Sequence, residues 1–233
     1  MLKVSEAHRG FDPRPELSES QEDYLKQIFL LGGDGDRVST QALARRLQVK
    51  PASVTEMDGR LSQLDLVEHA PYYGVQLTDG GRRVALEMLR HHRLLETFLV
   101  EALGYKWDEV HDEAERLEHV ISERFEERIA EVMGHPTHDP HGDPIPTPDL
   151  DLPNGDSLVS LQDLPVGFRG ILVRVGAQDP DNLNLLRRLG LTLGSTVEMV
   201  SDDPRGIRIQ VGNDRFMLPT YLAATLWIER LEQ

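Results

Sequence analysis

Ten consecutive residues near the middle of the chain, HDEAERLEHV (111–120), hold two histidines and four carboxylates: His111, Asp112, Glu113, Glu115, Glu118 and His119. Imidazole and carboxylate together are the donor set of a divalent cation that accepts nitrogen and hard oxygen ligands. On a helix, His111, Glu115, Glu118 and His119 fall within about 100° of arc. That arc flanks an apolar stripe of Val110, Ala114, Leu117 and Ile121. Four donors then share one half-wet edge, where a multidentate site can form. The bland alternative is a solvated flank, because acids and i,i+4 pairs such as Glu115 with His119 support a helix without any ion.

Two more donor groups lie upstream. RHHRLLETF carries His92 and Glu96 at i,i+4 spacing, and Glu22 and Asp23 sit just inside the start of the first predicted helix. Antiparallel packing of two helices brings the His92–Glu96 pair against the first cluster. The chain has no cysteine, which excludes disulfides and thiolate sites and leaves His, Asp, Glu, amides, carbonyls and water as ligands.

The elements that must position these groups are legible from period and punctuation. LSESQEDYLKQIFLL (17–31) opens on Ser18 with Gln21 three residues later, a capping-box spacing, and continues with Leu25, Ile28 and Phe29 at helical period. GGDGD (32–36) is a break. Residues 38–49 predict a short helix capped by Ser39 or Thr40, and 50–67 another, with Pro51 in its first turn. Residues 67–78 predict two short strands around a Pro-Tyr-Tyr-Gly turn. Three helices followed by a hairpin is the pattern of a winged helix-turn-helix. A helical pattern resumes over 79–104 and, after a break, runs through 107–134. The apolar residues of these two long helices exceed what one hairpin covers, so they predict dimerisation.

Residues 135–156 contain six prolines and no period and predict a connection. Beyond it, short alternating runs predict a small β-barrel of SH3 type, with 179–191 as an inserted helical turn. The expected fold class is mainly α with small β: a winged helix-turn-helix (1–78), a helical metal-binding and dimerisation domain (79–150) and an SH3-like domain (157–233).

No apolar run reaches the roughly 20 residues that span a bilayer, and MLKVSEAHRGFDPRPE lacks the apolar centre of a signal peptide. The expectation is a cytoplasmic protein without a membrane partner. The net charge of −15 argues against nucleic-acid binding by bulk charge. Residues 37–60 run the other way, with Arg37, Arg45, Arg46, Lys50 and Arg60 against Glu56 and Asp58.

Taken together, HDEAERLEHV, LRHHRLLE upstream, SQEDYL near the start, GDPIP after the helices and a C-terminal SH3-like module resemble the diphtheria toxin repressor family of iron- and manganese-responsive transcriptional regulators. The resemblance runs in family order across nearly the whole chain from about Leu17. It implies two metal sites: Asp23 with Glu115, Glu118 and His119, and a second built on His92, Glu96 and His111. Members with the third domain add an acid and an amide from an E-x-x-Q stretch. The matching D-P-D-N here offers Asp179 and Asn182, each one methylene shorter. In the manganese branch another acid follows the first-helix aspartate by one turn; here Lys26 stands there, which argues against a tightly spaced two-metal cluster of that kind. The iron-preferring branch has Met and Cys where this chain has Asp23 and Glu115. Carboxylates harden the site, so the resemblance implies Mn2+ first and Fe2+ second, with Zn2+, Co2+ or Cd2+ able to substitute in vitro.

In such a regulator the helix from Pro51 enters the major groove by its N-terminal end. Lys50, Ala52, Ser53, Thr55 and Glu56 are candidates for base edges or phosphates, and Arg60 for the DNA backbone. Arg45, Arg46, Tyr73 and its neighbour Tyr72 are candidate phosphate-side contacts. The expected partners are double-stranded operator DNA and a second copy of the chain. Two rival readings stand beside this one. The His111-Asp112 pair is shared with metal-dependent phosphohydrolases, although no nucleophile or phosphate-cradling loop accompanies it. A winged-helix regulator with a small organic effector would leave the acids merely solvated.

Overall fold

The structure is a computed structural model that describes residues 17–33, 35–70, 72–153 and 158–231. The N-terminal stretch read for a signal peptide, and Pro71 of the hairpin turn, lie outside them. The chain divides into two compact units, Met1–Met88 and Leu89–Gln233.

In the first unit, helix α1 (Glu19–Gly32) starts at the expected box, with Gln21 Oε1 accepting from the Ser18 backbone N–H at 2.9 Å. Helix α2 (Thr40–Arg46) is capped by Ser39, whose hydroxyl accepts from Ala42 N–H at 3.2 Å. Helix α3 (Pro51–Gln63) follows after four residues. Strands β1 (Val67–Ala70) and β2 (Gly74–Leu77) form an antiparallel hairpin, and Val38 extends it through an isolated bridge to Val75. Gly74 has φ +93°, and a Cβ there would sit 2.1 Å from the Val38 carbonyl, so only glycine lets the wing close on that bridge. Leu25, Ile28, Leu43, Val54, Leu61 and Val75 form the buried core.

Helix α4 (Asp79–Glu101) runs on into the second unit, followed there by α5 (His111–Leu117) and α6 (Glu123–Val132). The single helix expected over 107–134 is therefore two. The apolar period carries through Ile121, but the Ser122 hydroxyl accepts from Phe125 N–H at 3.3 Å and starts a new helix. A side chain that offers the backbone a competing partner ends the ladder. Leu94, Leu95 and Leu99 of α4 pack with Val110, Ala114, Ile129, Ala130 and Ile145.

The C-terminal domain is a six-stranded antiparallel sheet of β3 (Val159–Ser160), β4 (Arg169–Val175), β5 (Thr196–Asp203), β6 (Gly206–Val211), β7 (Asp214–Leu218) and β8 (Leu226–Arg230), in the order β3-β8-β4-β5-β6-β7. Irregularities at Leu172/Arg174 and Met199/Ser201 bend it. The expected inserted helical turn is α7 (Pro180–Arg188), and α8 (Thr220–Ala223) precedes the last strand. Leu172, Leu183, Leu186, Ile209, Leu222 and Ile228 are fully enclosed.

The proline-rich connection is a strap docked on this sheet. Val175 N–H donates to the His141 carbonyl at 2.8 Å. Gly142, at φ +86°, lies so close to β4 that a Cβ would approach the Val173 carbonyl to 2.0 Å.

Candidate metal centre

The stretch of α4 just after Leu89 is buried on all sides and largely polar. Arg90, His91, His92, Arg93, Glu96 and Thr97 are all below a tenth exposed, and Glu96 is fully enclosed. Buried charges persist only when paired or ligated, so this stretch has a purpose beyond packing.

Three donors converge at Glu96. Its Oε1 lies 3.1 Å from His92 Nε2 and 3.1 Å from His111 Nδ1, and those two nitrogens are themselves 3.1 Å apart. Such a triangle fits one face of an octahedron whose centre is about 2.2 Å from each donor. That distance falls between those of about 2.0–2.1 Å for Zn2+ and Mg2+ and about 2.3–2.6 Å for Ca2+. A tetrahedral ion on the same three atoms would have bonds of about 1.9 Å, shorter than zinc takes. The donor set and its spacing therefore fit an octahedral first-row divalent ion.

Glu115 approaches this triangle, its Oε2 being 3.6 Å from His92 Nδ1 and 3.9 Å from His111 Nε2. Glu118 is fully buried. Its Oε2 is 2.5 Å from His92 Nδ1, and its Oε1 is 3.5 Å from His119 Nε2. Thus His92 links the two expected ligand groups, one ring nitrogen facing each.

The charges respond to this crowding. Burial works against a charged His92, but Glu96 and Glu118 outweigh it and raise the imidazole to about 10. Burial likewise works against an ionised Glu96, yet His92, His111 and His141 hold it well below the usual carboxylate range. In effect a proton on His92 balances the carboxylates until another cation takes its place.

A third donor cluster, Glu96 with Asp139 and His141, was not singled out in the sequence and is wholly buried. Asp139 is raised to about 7, by burial first and then by the charges of Asp143 and Glu96. Its two donors outside α4 come from the strap, in HDPHGDPIP. The only sequence signal was an Asp and a His two residues apart in an aperiodic loop.

Around these clusters stand supporting groups. Glu126 of α6 accepts from Arg90 Nε at 2.5 Å and lies 3.0 Å from His91 Nε2, while His91 Nδ1 donates to the Glu118 carbonyl at 3.1 Å. Arg93 lies 3.7 Å from Asp139 and 3.8 Å from Asp143.

Asp179 and Asn182 are engaged with each other. Asp179 caps α7, accepting from the Asn182 backbone at 3.0 Å and from its amide at 2.6 Å. They join none of the three clusters. Asp23 lies in the first unit, 3.9 Å from Lys26 of its own helix.

The expected DNA contacts cluster on the first unit. Lys50, Ala52, Ser53, Thr55, Glu56 and Arg60 are exposed on or beside α3. Arg60 and Glu56 pair with each other at 2.5 Å. Of the α2 arginines, Arg46 donates to Gln27 at 2.8 Å and Arg45 is exposed. Tyr72 and Tyr73 stand out at the wing tip, Tyr72 fully exposed at φ +71°.

A winged helix-turn-helix, a helical domain with buried imidazole–carboxylate clusters and a small β domain define a metal-dependent DNA-binding regulator. The chain belongs to the diphtheria toxin repressor family of iron-dependent repressors. Residues 16–75 match "Iron dependent repressor, N-terminal DNA binding domain", 78–147 match "Iron dependent repressor, metal binding and dimerisation domain", and 159–230 match "FeoA domain". It is 32% identical over 228 residues to the iron-dependent repressor IdeR of Mycobacterium tuberculosis, covering 93% of this chain and 99% of that one. The diphtheria toxin repressor of Corynebacterium diphtheriae is 31% identical over 225 residues, with the same coverage. Among solved structures, a manganese-dependent transcriptional repressor in complex with manganese superposes with a TM-score of 0.84 at 39% identity, over 91% of this chain and all of that one. ScaR with bound Cd2+ does so with a TM-score of 0.80 at 33% identity, over 91% and 99%. Among the described residues no helix is long and apolar enough to cross a membrane.

Proposed function

We propose that this protein is a cytoplasmic, homodimeric transcriptional regulator and not an enzyme. In this reading Mn2+, with Fe2+ second, is the corepressor through which it controls metal-uptake genes. The observation that carries the reading is the Glu96–His92–His111 triangle of 3.1 Å sides, with Glu96 and His92 buried, His111 at its wetter edge, and a spacing that fits an octahedral ion. When bound, a divalent cation supplies positive charge among carboxylates that otherwise repel one another. Glu115, Glu118 and His119 hold one side of the regulatory site, and Asp23, on the first helix of the DNA module, completes it. Joining ligands from two modules biases the dimer toward one spacing of its recognition helices. A coupling of about 1–3 kcal/mol changes operator affinity roughly 5- to 150-fold.

Ala52, Ser53 and Thr55 read the major groove, with Lys50, Arg45, Arg46, Arg60 and Tyr73 on phosphates. The test selects binding sites from a random duplex pool with Mn2+ present. Affinity and bound ions are then measured together across Mn2+, Fe2+ and Zn2+. Operator affinity that is the same with and without metal overturns the reading.

A further inference from the structure

We propose that Asp58 is a positioning residue of the recognition helix whose proton is coupled to DNA: duplex binding draws a proton onto its buried carboxylate, so affinity falls as pH rises. The proposal rests on the DNA-binding reading above. It adds a second input, acid, that enters through the DNA-binding unit instead of the metal ligands.

Asp58 is the odd member of an apolar face. On α3 it stands between Val54 and Leu61, both fully enclosed, and is itself 1% exposed. Neither of its carboxylate oxygens has a hydrogen-bond partner among the described residues. Val54 lies one turn before it and Leu61 one turn after, so turning the acid out to water pulls the core open. An ionised carboxylate held this way lacks the donors that water gives it, and it responds by taking a proton.

The neighbouring elements do little to oppose that. Tyr24 faces it from α1, 5% exposed, and His69 from β1, exposed on the wing. Helix α2 also packs on α3 and buries Leu43 and Ala44, while Arg45 is exposed and Arg46 is bonded to Gln27. On α3 itself Glu56 and Arg60 are exposed and pair with each other. Burial dominates this balance and lifts the Asp58 carboxyl to about 6, with His69 pulling the other way.

DNA adds to the imbalance. Asp58 is seven residues beyond Pro51, about 10 Å along the axis from the end expected to enter the groove. Arg60, the expected backbone contact, is two residues further on. Phosphates gathered there bring negative charge to on the order of 10 Å from a carboxylate shielded from water, and like charge favours the protonated acid. At an effective dielectric of about 20, one phosphate at that range changes the proton affinity roughly tenfold. Salt at about 0.1 M reduces this to about threefold. Coupling between two ligands is reciprocal, so the proton strengthens DNA binding by the same factor. Asp58 belongs to none of the three donor clusters, which keeps this input separate from metal.

The test measures the affinity of the full-length protein for the duplex selected from the random pool. Mn2+ is kept saturating from about pH 5.5 to about pH 8, a range that spans the Asp58 transition. Asp58→Asn is neutral at every pH. Asp58→Leu stands in if that variant does not fold, which circular dichroism reports. Wild type and variant should bind alike at the acid end, and the wild type should be about 3- to 10-fold weaker at the alkaline end. Both carry the same metal ligands, so their ratio cancels any change at the metal site. Calorimetry in two buffers of different ionisation enthalpy should show more proton uptake on DNA binding by the wild type. A ratio that stays constant with pH, or equal proton uptake, overturns the coupling and leaves the regulator reading in place. A protein that binds no duplex with Mn2+ present overturns both.

Discussion

Gln178 donates a 2.6 Å hydrogen bond from its amide to Oδ2 of Asp143, tying the sheet domain to the strap that carries Asp139 and His141. Asp143 Oδ1 lies 3.3 Å from Arg174 Nε and 3.8 Å from Arg93 on α4. One carboxylate thus touches the strap, the third domain and the ligand-bearing helix. Asp143→Ala removes all three contacts and leaves the Arg174 guanidinium without its carboxylate, while Arg93 keeps Asp139 and the Pro144 carbonyl, at a cost of about 1–3 kcal/mol. Hydrogen exchange should accelerate in residues 139–146 and 171–178 while the α3 amides keep their protection. Unchanged exchange in the strap would show that backbone bonds alone hold it.

The recognition helix contains a misfit. Val54, Asp58 and Leu61 form the buried inner face of α3, and both Asp58 oxygens lack hydrogen-bond partners. Burial raises this carboxyl to about 6, although His69 of β1 pulls it down; Tyr24 of α1, raised by its own burial and by Asp58, faces it too. A folded-state pKa above the unfolded value of 3.8 means the native state holds the proton more tightly. The contribution is therefore full below about pH 4 and is lost as pH rises through 6, leaving a penalty of about 3 kcal/mol at neutrality. Asp58→Leu should raise the melting temperature of the DNA-binding domain by several degrees at pH 7. The gain should shrink toward zero near pH 4, read as variant minus wild type by thermal unfolding. A gain independent of pH would assign the effect to packing alone.

Periodicity and capping made most of the scaffold readable in advance. Ser18 with Gln21, Ser39, and Pro51 in the first turn of α3 each announce a helix by local chemistry, and His92, Glu96, His111 and Glu118 converge because helical spacing aligns them. Asp139 and His141 gave no such warning. Their spacing carries no geometric meaning until Gly142 docks against Val173 and the turn closes through Asp139. Asp58 was equally silent, since an acid in a basic window reads as surface until the packing of α3 turns it inward. The break at Ser122 was hidden because the apolar period continues across it.

Lys50 is the N-cap residue of α3, exposed and without a side-chain cap bond, at the end of the helix expected to enter the groove. Lys50→Ala should weaken binding by similar factors across related sequences and reduce the dependence of log affinity on log salt by about one. Ala52→Gly removes only a methyl. It should leave the salt slope unchanged and cost about 1–3 kcal/mol at one base position, as loss of a base-edge contact does. A salt slope unmoved by Lys50→Ala would place that residue off the DNA. The two titrations together separate positioning from reading.

Glu126 shows how a residue with no ligand role can set metal affinity. It gathers Arg90 and His91, the two residues immediately before His92, while His91 also donates to the Glu118 carbonyl. Burial works to raise Glu126, but His91 and Arg90 outweigh it and hold it below the usual carboxylate range. Glu126→Ala leaves Arg90 its bond to the Pro146 carbonyl at 2.6 Å but releases His91 on that side. The Glu118 backbone, which fixes the carboxylate beside His92 and His119, then loses its brace. Loss of such outer support costs about 10- to 100-fold in metal affinity. Calorimetry should show that drop with the number of ions per chain unchanged. A lost ion would make Glu126 a ligand, and an unchanged affinity would mean that α4 and α5 hold the site rigid without help from α6.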